Sequence, residues 1–240
     1  MKAAFFSDIH ANLPALETAL GRARGLGAEA LFCAGDMVGF GPHPSEVVGL
    51  LRENGVTAIG GNVERKVLRA ADHAAPPVRA EGRAAAPVWT ANSLDPEALR
   101  WLRDLPPRRR MTVGGADVLM VHGSPLSDVD YIYPSLTGRA LAAKVGGERP
   151  DVLVCGHSHV PFVRRVSGVL VVNCGSVGRP VDGDPRGAFA LADLSPGGAS
   201  RARIIRFSYD VASLLRDVAG RGSPGVRPEE FVSGRKVKGE

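Results

Sequence analysis

Several residue types are scarce in this 240-residue chain, and each scarcity excludes something. The three cysteines (Cys33, Cys155, Cys174) are an odd number, lie far apart and form no CxxC pair. That argues against a disulfide framework or a thiolate zinc site and fits buried thiols. No apolar run approaches the roughly 18 residues of a membrane helix. The opening Met1 to Phe6 stretch is cut short by Asp8 and His10, so it is not a signal peptide. The expectation is a soluble, cytoplasmic protein with no membrane partner. Internal repeats are absent. The net charge of +5 suggests a polyanion partner at first, but the basic residues, all but five of them Arg, are scattered along the chain. The Arg108-Arg109-Arg110 run has no interleaved aromatics, so a nucleic-acid partner is not expected. Only six histidines occur, and their positions carry more weight than the charge.

What is present reads as an alternation of strands and helices. Lys2 to Ser7 is a short buried strand. Leu13, Leu16 and Leu20 then recur at helical spacing, with Asn12 as cap and Pro14 in the first turn. Ala30 to Ala34 is a second strand stopping at Gly35-Asp36, and Val56 to Ile59 a third, stopping at Gly60-Gly61-Asn62. A helix around Glu46 to Arg52 separates them. Strand, helix, strand predicts parallel βαβ units. The Ala- and Arg-rich section 64–105 reads as short helices inserted within the domain, and its His73 has no partner motif. Two hairpins follow, Arg110 to Val113 with Asp117 to Val121 and Pro161 to Val166 with Val169 to Asn173. A helix at Leu136 to Val145 and a strand at Val152 to Cys155 lie between them. Strands at Ala188 to Asp193 and Ala202 to Tyr209 and a helix from Asp210 to Ala219 complete a single domain, 1–220. The Gly, Pro and charge run 221–240 reads as a flexible tail.

The polar residues at strand ends are Asp8, His10, Asp36, Asn62, His122, His157 and His159. Ligands collect beyond the carboxyl ends of strands in α/β sheets, so Asp8, Asp36 and Asn62 are expected on one rim. All are metal-ligand types. Alternate residues of an extended segment point the same way, so Asp8 with His10 can grip one ion, and His157 with His159 one ion or two neighbours. Seven ligands exceed what one ion uses. Two ions sharing a carboxylate account for the surplus, and an oxygen and imidazole set without sulfur favours Mn, Fe, Zn or a similar divalent metal.

Asp8-x-His10, Gly35-Asp36, Gly61-Asn62, His122 and Gly156-His157-x-His159 resemble the calcineurin-like metallophosphoesterase superfamily. Asp36-Met-Val-Gly-Phe-Gly-Pro, His122-Gly-Ser-Pro and Asn173-Cys-Gly-Ser-Val-Gly-Arg-Pro resemble its small prokaryotic branch of YfcE-like phosphodiesterases. The resemblance implies a four-layer α-β-β-α sandwich of two mixed sheets with helices on both outer faces. It implies two divalent ions, Mn²⁺ foremost with Fe, Zn, Ni or Co as alternatives. Asp8, His10 and His159 would hold one and Asn62, His122 and His157 the other, with Asp36 bridging. A metal-bridging hydroxide would then attack a small phosphate ester, with Asn62 and His122 on its oxygens.

One position departs from the family. Many members carry a histidine after the motif asparagine, where it protonates the leaving oxygen, and here that residue is Val63. General acid help is worth roughly 10² to 10⁴ in rate, so phosphodiesters or activated esters are preferred to simple alkyl monoesters. His43 is the candidate substitute acid, against an ordinary surface residue. Tyr131 and Tyr133 either stack a nucleobase or pack a loop, and Arg179 and Arg186 either hold phosphate or shape a turn. A phosphomonoesterase, acting on proteins or nucleotides, is the alternative activity. A non-catalytic scaffold is the alternative class, but the full ligand set argues for a metal-dependent phosphoesterase.

Overall fold

The computed structural model describes residues 1–72 and 82–237. His73 and the last three residues of the expected tail lie outside them. Lys2–Phe6 (β1), Ala30–Cys33 (β2), Thr57–Ala58 (β3), Gly187–Asp193 (β9) and Arg201–Phe207 (β10) form one sheet in the order β10-β9-β1-β2-β3. Arg108–Val113 (β4), Ala116–Val121 (β5), Val152–Cys155 (β6), Phe162–Val166 (β7) and Val169–Asn173 (β8) form the other, β4-β5-β6-β8-β7. Both are mixed. β1, β2 and β3 run parallel in the first, as do β5, β6 and β8 in the second.

The sequence dictates this stacking through period-two burial. Ala3 and Phe5 face the second sheet, where they meet Val118, Met120, Val152, Val154 and Val172. Ala4 and Phe6 face the opposite way, onto Leu16, Ala19, Val47 and Val48. Those last residues lie on Leu13–Gly25 (α1) and Pro44–Glu53 (α2), which with Asn62–Asp72 (α3), Ala86–Ser93 (α4) and Pro96–Arg103 (α5) cover the outer face. Gly138–Val145 (α6) covers the other sheet through Leu141 and Val145. A strand covered on both faces must be apolar throughout, which is why β1, β6 and β8 read as continuous runs. The architecture is the α-β-β-α sandwich that the resemblance implied.

Two elements differ from expectation. β3 has only two residues, because after Ile59 donates to the Cys33 carbonyl (3.1 Å) the chain leaves the sheet and Gly60 donates to Pro106 instead (3.0 Å). Asn62 therefore opens α3 rather than ending a strand. Beyond Val211–Arg221 (α7), the segment read as a flexible tail contains Pro228–Ser233 (α8), which buries Phe231 and the Glu230 carboxylate. The three cysteines are all free and buried, as expected. Among the described residues no helix is long and apolar enough to cross a membrane.

Candidate metal centre

The parallel strands of both sheets deliver their next residues to one rim. Asp8 and His10 follow β1, Asp36 follows β2, His122 follows β5, and His157 and His159 follow β6. Asp8, His10, Asp36, His157 and His159 all have left-handed backbone, with φ between 52° and 62°. This replaces the extended-segment argument for the Asp8/His10 and His157/His159 pairs. They converge because the chain turns at each of them. Such a conformation costs roughly 1–3 kcal/mol in a non-glycine residue and persists only where the surroundings enforce it. Here they do so by backbone bonds: Asp8 donates to Gly35 and His10 to Asp36, both at 3.0 Å. Gly156 permits the sheets to close, since a Cβ there would fall on the Ser7 hydroxyl and 2.6 Å from Asp8 Oδ2.

Two clusters result, Asp8 with His10 and His159, and Asp36 with His122 and His157, each with donor atoms within 4.8 Å of one another. Asp8 Oδ1 lies 3.1 Å from His159 Nε2 and 3.8 Å from His10 Nε2. The two imidazole Nε2 atoms are 3.2 Å apart. His122 Nε2 stands 3.3 Å from Asp36 Oδ2 and 3.0 Å from Asn62 Oδ1. His122 Nδ1 donates to the Ala34 carbonyl (2.8 Å) and His159 Nδ1 to the Arg179 carbonyl. These bonds turn each Nε2 toward its cluster, as outer partners of metal-binding histidines do. Asp8 Oδ1 and His157 Nε2 are buried without a hydrogen bond. Buried polar atoms are almost always paired, so lone pairs left facing one another fit a divalent cation in each cluster.

Burial and mutual proximity shift the ionisation of these groups. Burial pulls the His10 pKa down to about 3, with His159 adding to the effect. His122 goes the other way. Burial favours its neutral ring, but the Asp36 and Asp8 carboxylates outweigh it and raise its pKa to about 10. Burial also opposes ionisation of Asp8 and Asp36, yet the surrounding histidines hold both below the usual carboxylate range.

Glu64 is the residue that sequence reasoning missed. Its buried carboxylate accepts from the backbone of Asp36 (2.8 Å), Met37 (2.7 Å), Val38 (3.1 Å) and Gly61 (2.7 Å). It therefore ties the Asp36 loop to the start of α3. Burial and the nearby Asp36 charge raise its pKa to about 7. An acid two positions beyond Asn62 was the only available signal.

The remaining candidates divide. Tyr131 reaches the centre, stacked on His157 with ring centroids 4.4 Å apart, and Tyr133 stacks on Tyr131. His43 is not a surface residue: it is buried, with Nε2 3.0 Å from Asp217 of α7. The Arg179 guanidinium is buried. It pairs with Glu230 at 2.7 Å and lies 4.6 Å over the Phe40 ring. Arg186 is exposed and pairs with Asp184. It lines a shallow cleft with Arg22 and Arg206, apart from the two clusters.

Two adjacent carboxylate and imidazole clusters on the rim of an α-β-β-α sandwich define a dinuclear, metal-dependent hydrolase. Residues 1–197 match the calcineurin-like phosphoesterase superfamily domain, and the chain belongs to that superfamily. A metallophosphoesterase of known structure from Sphaerobacter thermophilus is 29% identical, with 98% of this chain and 99% of that one aligned at a TM-score of 0.78. An uncharacterized protein of Methanocaldococcus jannaschii is 28% identical over 97% of this chain and 98% of its own length. Phosphodiesterase YfcE of Escherichia coli is 27% identical over 77% of this chain and 84% of its own.

Proposed function

We propose that the protein hydrolyses phosphodiesters, placing it beside the small prokaryotic YfcE-like enzymes, and that Mn²⁺ is its preferred metal. The observation that carries metal-dependent hydrolysis is the pair of adjacent clusters, with Asp8 Oδ1 in one and His157 Nε2 in the other buried without a hydrogen bond. Asp8, His10 and His159 would hold one ion, Asn62, His122 and His157 the other, and Asp36 would serve both. Divalent ions held there would make hydroxide available from water near neutral pH and would screen the phosphate oxygens. The protein's own groups fix the rest. The Ala34 and Arg179 carbonyls hold the His122 and His159 tautomers. The Val63 amide donates to Asp36 Oδ1 (2.9 Å) and fixes the orientation of that carboxylate. The Asn62 amide would meet a phosphate oxygen, whereas His122, with Nδ1 on the Ala34 carbonyl and Nε2 toward an ion, has no N–H left for one.

Leaving-group chemistry narrows the substrate. Val63 is an apolar side chain in the core and supplies no proton to a leaving oxygen, and His43 Nε2 is engaged by Asp217. Esters whose leaving group departs unaided are favoured. The Escherichia coli relative, a phosphodiesterase by name, supports the same reading. Protein stripped by chelator and reloaded with Mn²⁺ is expected to hydrolyse bis-p-nitrophenyl phosphate, and no turnover would remove the basis for this function. Asp36→Asn is expected to reduce metal occupancy at both positions. Two ions retained on elemental analysis would contradict the bridging role.

A further inference from the structure

Among the described residues, six large hydrophobic side chains are exposed, and four of them, Leu126, Val129, Tyr131 and Tyr133, lie on the single loop between β5 and α6. That loop follows His122 directly and brings Tyr131 against His157. Scattered exposed apolar residues need no explanation, but a cluster beside a catalytic rim marks a binding surface. The chain alternates here. Ile132 points inward and is buried, while Tyr131 and Tyr133 on either side point out, 41% and 38% exposed. Their rings are nearly parallel, at 8° with centroids 5.5 Å apart.

The backbone beneath the rings is tied down. Arg65 of α3 places two donors on Asp128 Oδ2, at 2.9 and 2.7 Å. Asp130 pairs with Lys144 of α6 and accepts from Ser124 at 2.8 Å. The outer face of Tyr133 is therefore presented on a fixed support, so little ordering cost remains when a ligand arrives.

We propose that Tyr131 and Tyr133 form a stacking platform for a planar aromatic group on the substrate, and that the substrate is a nucleotide-type phosphodiester whose base rests there. This depends on the phosphoesterase function above. Two parallel phenol rings present flat π faces, which every base can stack on and an acyl chain cannot exploit. Tyr131 is already stacked on His157 and Tyr133, so Tyr133 supplies the base contact and Tyr131 carries it toward the metal clusters.

The test compares ligands that share a phosphate and differ in the base. Calorimetric titration of the Mn²⁺-loaded protein with AMP and with ribose 5-phosphate is expected to show AMP binding on the order of 10- to 100-fold tighter, the range of one base stack. Tyr133→Ala should collapse that ratio toward one, Tyr133→Phe should retain it, and Tyr133→Leu should lose it. Equal affinity for both ligands, a ratio unchanged in Tyr133→Ala, or dodecyl phosphate binding more tightly than AMP would overturn the proposal. Hydrolysis of bis-p-nitrophenyl phosphate separately reports the phosphoesterase function. A base preference in binding without hydrolysis would retain the platform and reject the catalysis, and the reverse result would reject the platform alone.

Discussion

Removal of the Glu230 carboxylate tests whether the C-terminal helix is part of the metal centre. Arg179 and Glu230 are joined at 2.7 Å with side chains 8% and 1% exposed, across 51 residues of sequence. An exposed ion pair contributes about 0–1 kcal/mol. Breaking a buried pair by removing one partner costs about 3–5 kcal/mol, because the remaining charge is stranded. Glu230→Ala should therefore lower the urea-extrapolated stability by roughly 3–5 kcal/mol with chelator present, out of the roughly 5–15 kcal/mol of an ordinary domain. Arg179→Met/Glu230→Leu should recover most of that loss, since no charge is left buried.

The same contact has a chemical consequence. The Arg179 carbonyl receives the His159 Nδ1 proton, and its amide donates to Ser176 Oγ (2.7 Å), which in turn donates to the Asp8 carbonyl (2.6 Å). Its guanidinium packs on Phe40, whose ring meets His10 edge-on. All three connections lead to the Asp8, His10 and His159 cluster. Loss of such outer support costs roughly 10- to 100-fold in metal affinity. Metal titration of Glu230→Ala should thus show one ion weakened by about that factor and the other unchanged. A stability loss below about 1 kcal/mol, with both ions bound as before, would refute the reasoning.

Three further outcomes are expected. Raised to about 10 in the metal-free protein, His122 is protonated at neutral pH and must release that proton to bind metal, whereas His10, at about 3, carries none. Affinity at the His122 position should rise about tenfold per pH unit from pH 6 to 9, with proton release visible by calorimetry in buffers of different ionisation enthalpy; pH-independent binding would contradict this. The same proton stabilises the metal-free fold fully below about pH 6.5, and that contribution disappears as pH rises through about 10. Gly156→Ala should cost at least about 1–3 kcal/mol and displace Asp8, because the added carbon meets Ser7 and Asp8 side chains of the facing sheet; wild-type melting and metal content would refute it. With no acid at position 63, rates across aryl and alkyl phosphodiesters should fall steeply as leaving-group pKa rises, and a flat dependence would reveal an acid elsewhere.

Much of the centre is legible in the sequence because strand ends are. Short apolar runs stop at Gly35-Asp36, His122-Gly123 and Gly156-His157, and parallel strands must deliver those residues to one edge. Glu64 was not legible. Its four hydrogen-bond donors come from two loops that neighbour each other only in the folded chain. Nor was Arg179, since a guanidinium in a loop returning to the rim looks the same whether it faces phosphate or a carboxylate 51 residues on. His43 escaped recognition as a buried residue for the same reason, its partner Asp217 being on α7.

By itself, then, the sequence determined the strand and helix alternation, the identity of the seven metal-type residues and the absence of an acid at Val63. These depend on local patterning and on residue chemistry, which the chain carries wherever it is read. Only the tertiary structure decided that five of those residues turn through left-handed backbone, that Glu64 binds two loops together, and that α8 closes on Arg179 behind His159. Each of these rests on contacts between segments far apart in sequence. Strained dihedrals and buried charges are tolerated only where distant partners compensate them.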